Sequence, residues 1–111
     1  MECLFCRIAA REIPSKKVFE DDRVYAFEDI APKAPTHILV IPKKHIARLS
    51  DAAAEDAPLV GEVAARAAAI ARDKGLGHYR LVLNNGEGAG QSVFHLHFHL
   101  LGGRPLGWPP G

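Results

Sequence analysis

The sequence predicts an α+β domain: a five-stranded antiparallel sheet with one main helix and a short helix at the N-terminus. Three observations lead there. One long window, from Asp56 to Gly75, repeats its apolar residues at helical spacing. Several shorter windows are rich in β-branched and aromatic residues or alternate between polar and apolar. The links between them are mostly short, which favours antiparallel neighbours with the helix packed on one face of the sheet.

Each element has its own reason. In Cys3 to Ala10, Leu4, Phe5 and Ile8 stand at helical spacing, and Arg11 to Ser15 ends the turn because the residue before Pro14 is pushed out of the helical region. Lys17 to Glu20 and Val24 to Glu28 read as strands joined by a turn at Glu20-Asp21-Asp22-Arg23. Ala31 to Pro35 carries two prolines and reads as a loop. Thr36 to Ile41 is nearly continuous in apolar residues, the pattern of a strand covered on both sides. Lys43 to Ala54 is irregular or holds a single helical turn. Asp56 offers an N-cap, and Pro58 falls in the first turn, where its missing N–H costs little. Leu59, Val60, Val63, Ala64, Ala67, Ile70 and Ala71 then share one helix face, and Gly75 supplies the stop. Tyr79 to Leu83 and Phe94 to Leu101 complete the strands, joined by the glycine-rich loop Asn84 to Ser92.

Composition bounds the function. The 111 residues are enough for one domain, taken as 1–111, with an ordinary apolar core. With 48% apolar and 24% charged residues, the chain belongs with globular proteins and is set apart from disordered and coiled-coil sequences. Fourteen basic against thirteen acidic residues leave a net charge of +1, so nucleic acid and membrane surface are not expected as partners. Met1-Glu2-Cys3-Leu4-Phe5-Cys6 lacks the basic and apolar regions of a leader, and two cysteines three apart argue against a disulfide framework, so a cytoplasmic setting is expected.

The chemistry concentrates near the C-terminus. In Phe94-His95-Leu96-His97-Phe98-His99-Leu100 polar and apolar residues alternate without error. On a strand, residues two apart share a face at roughly 6.6 Å, so His95, His97 and His99 would form a row while the apolar residues enter the core. Such a row could chelate a metal, since neutral imidazole is a common zinc ligand. It could equally supply a nucleophile and acid–base groups, since histidine titrates near neutrality. The loop Asn84-Asn85-Gly86-Glu87-Gly88-Ala89-Gly90-Gln91-Ser92 has glycines at alternate positions, which would let backbone N–H groups approach an anion. Beside the histidines, it suggests a phosphate held next to a nucleophilic imidazole.

These residues resemble a known family. His95-Leu96-His97-Phe98-His99-Leu100-Leu101 is similar to the histidine triad (HIT) signature, His-φ-His-φ-His-φ-φ with φ apolar. Glu20 to Arg23, Ala34 to His37, Val40 to Ile46, Gly90-Gln91-Ser92, Leu101 to Arg104 and the Trp108-Pro109-Pro110-Gly111 tail resemble the Hint branch of nucleoside phosphoramidases. His99 in the third position is similar to the hydrolases, where the nucleotidyltransferases carry glutamine.

The resemblance implies a HIT-like fold and a homodimer with a ten-stranded sheet. It implies cleavage of purine nucleoside 5′-phosphoramidates to AMP and amine through a nucleotidyl-histidine on His97, with no cofactor required. His99 would donate to the phosphate, Ser92 would act near the leaving group, and His37 and His95 would assist proton movement. The second nitrogen of His97 would be fixed by a loop carbonyl that maps to Gly90. Leu4, Phe5, Ile8, Phe27 and Ile30 would surround the purine, Asp29 would take the ribose hydroxyls, and Asn84, Gly90, Gln91, Ser92 and Phe98 would complete the nucleotide site. By similarity to bacterial members, Cys3, Cys6, His45 and His95 would hold a structural zinc ion, in which case His95 could not shuttle protons. Two inert thiols or a redox pair remain alternative readings of the cysteines. Other activities stay open as well: hydrolysis of dinucleoside polyphosphates or nucleotidyl-sulfates, nucleotide binding in a regulatory role, or hydrolysis by a catalytic metal on the histidine row.

Overall fold

A computed structural model describes residues 3–111. Met1 and Glu2, which begin the segment read above for a leader, lie outside them. The elements run α1 (Leu4–Ala9), β1 (Lys17–Glu20), β2 (Val24–Glu28), β3 (Thr36–Pro42), α2 (Ala57–Asp73), β4 (Tyr79–Leu83) and β5 (Phe98–Gly102). All strand pairs are antiparallel, in the order β1-β2-β3-β5-β4. This is the α+β architecture the sequence predicts.

Period-two alternation divides the sheet into two faces. From β2, Val24 and Ala26, and from β3, Ile38 and Val40, meet Val63, Ala67, Ile70 and Ala71 of α2, with Leu100 of β5 among them. Their sequence neighbours Tyr25, Phe27, Leu39 and Ile41 point the other way and pack with Cys3, Phe5, Ile8 and Ala9 at α1. The nearly continuous apolar run of β3 is thus covered on both sides, and α1 is seated against the face opposite α2.

Local chemistry closes the elements. Asp21 Oδ1 accepts the N–H groups of Arg23 and Val24, both at 2.8 Å, and makes the β1–β2 turn. Helix α2 ends as expected at Gly75, whose φ of 73° lets the Leu76 N–H reach the Ala71 carbonyl. Among the described residues, no helix is long and apolar enough to cross a membrane.

Four local expectations are corrected. Helix α1 stops before the influence of Pro14: Arg11 adopts a left-handed φ of 64°, and the Glu12 N–H bonds to the Arg7 carbonyl. Asp56 does not cap α2 with its side chain. Its carboxylate accepts the Ala53 N–H at 2.9 Å and pairs with Lys44 at 2.6 Å, so it closes the preceding turn. Strand β5 begins at Phe98, not Phe94, because the Leu96 N–H is taken by the Ile46 carbonyl at 2.6 Å and residues 94–97 approach the sheet as a loop. Phe94 consequently lies exposed instead of entering the core.

Candidate functional site

The site grows on the α1 face of the sheet. Leu39 of β3 pairs directly with His99 of β5, so His37, two residues before Leu39, shares a face with His99 on the neighbouring strand. His37 is buried, and its Nδ1 accepts the Lys33 N–H at 3.0 Å. A neutral imidazole that accepts at Nδ1 carries its proton on Nε2. That proton goes to His99 Nδ1, 2.9 Å away, while Asp29 Oδ2 lies 3.4 Å from the same nitrogen. Since His99 accepts at Nδ1, its own proton sits on Nε2, where it is free to donate.

His97 has the opposite polarity. Its Nδ1–H donates to the His95 carbonyl at 2.8 Å, which leaves the Nε2 lone pair available. This corrects the expected acceptor: the carbonyl comes from His95, two residues upstream, and not from Gly90, because the chain turns back on itself before β5. Among the described residues, His97 Nε2 makes no hydrogen bond, and no buried side-chain nitrogen or oxygen lacks one. The nitrogen therefore reaches solvent although the residue is only 7% exposed. Phe5 packs edge-on against the ring with centroids 5.0 Å apart, and the His99 ring lies 4.9 Å away.

Burial decides the protonation states. It lowers His37 and His97 below the usual imidazole range, and with help from His97 and His37 it takes His99 to about 4. At neutral pH the three rings are uncharged. The site thus offers one nucleophilic nitrogen and one N–H donor on adjacent rings.

A second cluster lies at the end of the same histidine run. Cys3 Sγ and Cys6 Sγ stand 3.3 and 3.4 Å from His95 Nδ1, and His45 Nδ1 stands 3.4 Å from Cys6 Sγ and 3.3 Å from His95 Nδ1. These four atoms lie within 4.8 Å of one another, close enough to hold a metal ion. The donor set suits one. Zinc–nitrogen bonds of about 2.0 Å in a tetrahedron put neighbouring nitrogens about 3.3 Å apart, the separation of the two imidazoles. His95 Nε2 donates to the Pro42 carbonyl at 2.7 Å, so its lone pair faces the thiols. Burial takes His95 to about 4, and burial with the neighbouring Cys3 takes the Cys6 thiol to about 11.

The remaining sequence-predicted residues are placed as follows. Phe5, Ile8 and Phe27 are buried together under α1, with Phe5 and Phe27 edge to face at 5.4 Å. Leu4 is largely exposed and Ile30 entirely so. Asp29 Oδ1 accepts the Ala31 N–H at 2.8 Å, and Asp29 and Ile30 line an open cleft of about 530 Å³. Gly90 adopts a φ of 98° beside the Asn84 amide. Gln91 is buried, accepting the Gly86 N–H and donating to the Ala47 and Val93 carbonyls. The loop's N–H groups at Ala89, Gly90 and Gln91 bond within the loop, so they are not the anion cradle that glycine spacing suggested. Ser92 is exposed on a cleft it shares with Leu4 and His45, and Phe98 is half-buried against the α2 core. Sequence reasoning missed the Lys33 N–H and the Pro42 and His95 carbonyls, which set three histidine tautomers. Backbone groups leave no sequence signal.

Comparison with known proteins gives a consistent picture. The HIT domain family model matches residues 10–106. An uncharacterised HIT-like protein of Synechocystis sp. is 51% identical, with 99% of this chain and 97% of the relative covered. A HIT family hydrolase from Legionella pneumophila has a crystal structure similar at a TM-score of 0.96 and 53% identity, covering 99% of this chain and all of the other. A histidine triad protein from Clostridium difficile matches at 0.93 and 47% identity, over 96% of this chain and 95% of its own.

Proposed function

The chain belongs to the HIT domain family, and from that premise we propose that it is a nucleoside phosphoramidase of the Hint type. The observation that carries this is the pair of rings at the site: His97 bears an unpartnered Nε2 lone pair while His99 presents an N–H beside it. An α-phosphorus placed between them would be attacked by His97 Nε2 while the phosphoryl oxygens take the His99 proton as a hydrogen bond. The P–N bond to the amine breaks, and the amine leaves as a neutral molecule by taking a proton from solvent, which the hydrolytic water of the next step gives back. Water then cleaves the phosphorus–Nε2 bond, which releases the nucleoside monophosphate and returns neutral His97. Asp29, at the cleft's rim, would hold the ribose hydroxyls, and Phe5, Ile8, Phe27, Leu4 and Ile30 would frame a purine. The similar hydrolase from Legionella pneumophila supports hydrolysis in general.

Cys3, Cys6, His45 and His95 would hold zinc, which would tie α1 to the segments before α2 and before β5 and take no part in the bond-breaking steps. We place the protein in the cytoplasm, where both thiols stay reduced. We read 1–111 as one domain whose copies join edge to edge in a homodimer.

Incubation with adenosine 5′-phosphoramidate tests the proposal. AMP release that survives chelation of free metal, vanishes in His97→Ala, and passes through an AMP adduct on a His97 peptide is the expected result. Binding without turnover, or turnover on dinucleoside polyphosphates alone, would overturn the phosphoramidase reading.

A further inference from the structure

His95 belongs to two systems at once. Its side chain completes the Cys3–Cys6–His45 cluster through Nδ1, and its backbone carbonyl is the acceptor that fixes the His97 tautomer. No loose joint separates the two. The His95 ring is fully buried and held at both nitrogens, by the cluster at Nδ1 and by the Pro42 carbonyl at Nε2. Leu96, the one residue between, is 1% exposed and anchored through its N–H to the Ile46 carbonyl. A second connection runs through Phe5, which sits between the two cysteines and meets the rings of both His95 and His97 edge-on, at 6.2 and 5.0 Å.

We propose that the Cys/His cluster, loaded with a divalent metal ion, is a positioning device for the nucleophile: its ligand His95 holds the carbonyl that keeps the proton of His97 on Nδ1 and the lone pair on Nε2. His95 is then a positioning residue with no proton-transfer role. Ion removal leaves two thiols and two imidazoles that no longer draw the His95 ring to one place. Its carbonyl shifts with the ring, and the alternative tautomer of His97, protonated at Nε2 and unable to attack, becomes populated. A merely structural cluster would change the melting temperature and nothing else.

The inference rests on the proposed function only for the rate it affects; the tautomer can be read without turnover. The experiment compares the full chain as metal-free protein, zinc-loaded protein and cobalt-loaded protein. Cobalt reports thiolate ligation by its near-ultraviolet charge-transfer absorption. Nitrogen-15 NMR of the His97 ring is expected to show a single Nδ1–H tautomer in the zinc form and a mixture in the metal-free form. Turnover of adenosine 5′-phosphoramidate should fall about 10-fold or more on zinc removal, with AMP affinity changed less than about twofold, and zinc addition should restore it. Should the metal-free chain unfold, Cys6→Ser loaded with zinc gives a weakened cluster for the same measurements below its melting temperature. Identical His97 spectra and equal turnover in folded metal-free and zinc-loaded protein would overturn the proposal, as would cobalt bound without thiolate absorption. Metal-dependent His97 spectra in a protein that cleaves no phosphoramidate would leave the coupling standing and remove the functional reading.

Discussion

Gln91 is the residue whose replacement best separates a structural from a binding role. Its side chain is 2% exposed and uses every polar atom: Oε1 accepts the Gly86 N–H at 2.8 Å, and Nε2 donates to the Ala47 and Val93 carbonyls at 2.8 and 3.0 Å. Gln91→Ala removes three hydrogen bonds, each worth about 1 kcal/mol net, and strands one donor and two acceptors. Water admitted to the gap would satisfy some of them, so the expected loss is about 2–4 kcal/mol. In a chain of this size, 1 kcal/mol moves the melting temperature by about 4 °C or more, and the variant should melt roughly 10 °C lower. Urea denaturation followed by far-ultraviolet circular dichroism measures the stability, and calorimetric titration with AMP measures binding on the same sample. Gln91→Glu should do no better, because its carboxylate would face two carbonyls. A loss below about 1 kcal/mol together with weakened AMP binding would refute the reasoning and make Gln91 a nucleotide contact.

Other outcomes follow from the same geometry. Protonation of His97 abolishes its nucleophilic lone pair, and burial holds it below the usual range, so kcat/KM should stay level as pH falls past about 6.5 and drop only at lower pH; an acid inflection at 6.5 or above would contradict this. Stability should fall over an overlapping window. Between about 6.5 and about 4 the unfolded chain takes up the proton that folded His95 refuses, and acid titration of the metal-free protein's unfolding free energy checks it. His37→Phe keeps a ring but offers no N–H to His99, and kcat should fall about 10-fold or more with little change in KM; an unaltered kcat would remove His37 from the site. Gly103→Ala places a methyl 2.9 Å from the Pro35 ring at a φ of 90°, which should cost about 1–3 kcal/mol in denaturation, whereas Gly107→Ala meets nothing within 4 Å and should be neutral.

The sheet was legible because its signals are local. In the strand read at Val24 to Glu28, period-two geometry sends Val24 and Ala26 to one core and Tyr25 and Phe27 to the other, and the Asp21 turn and the Gly75 stop act within a few residues of themselves. Legibility failed where a distant partner decided the outcome. Phe94 to His97 alternates like a strand, yet the Ile46 carbonyl claims the Leu96 N–H and delays the ladder to Phe98. Asp56 looks like a helix cap, yet Lys44 and the Ala53 N–H hold its carboxylate elsewhere. At the site, the histidine pattern located the chemistry, but the direction of every proton depends on the backbone of Lys33, Pro42 and His95.

The cluster also orders events during synthesis. Helix α1 has six residues, too few to persist alone in water, and its Cys3 finds its partner 92 positions later. A ribosome must therefore release the segment through His95 before the cluster that fastens this helix can close, although its apolar partners Tyr25, Phe27, Leu39 and Ile41 emerge earlier. In pulse-labelled hydrogen exchange, the amides of Arg7 to Ala10 should gain protection after those of α2, making α1 one of the last elements to mature.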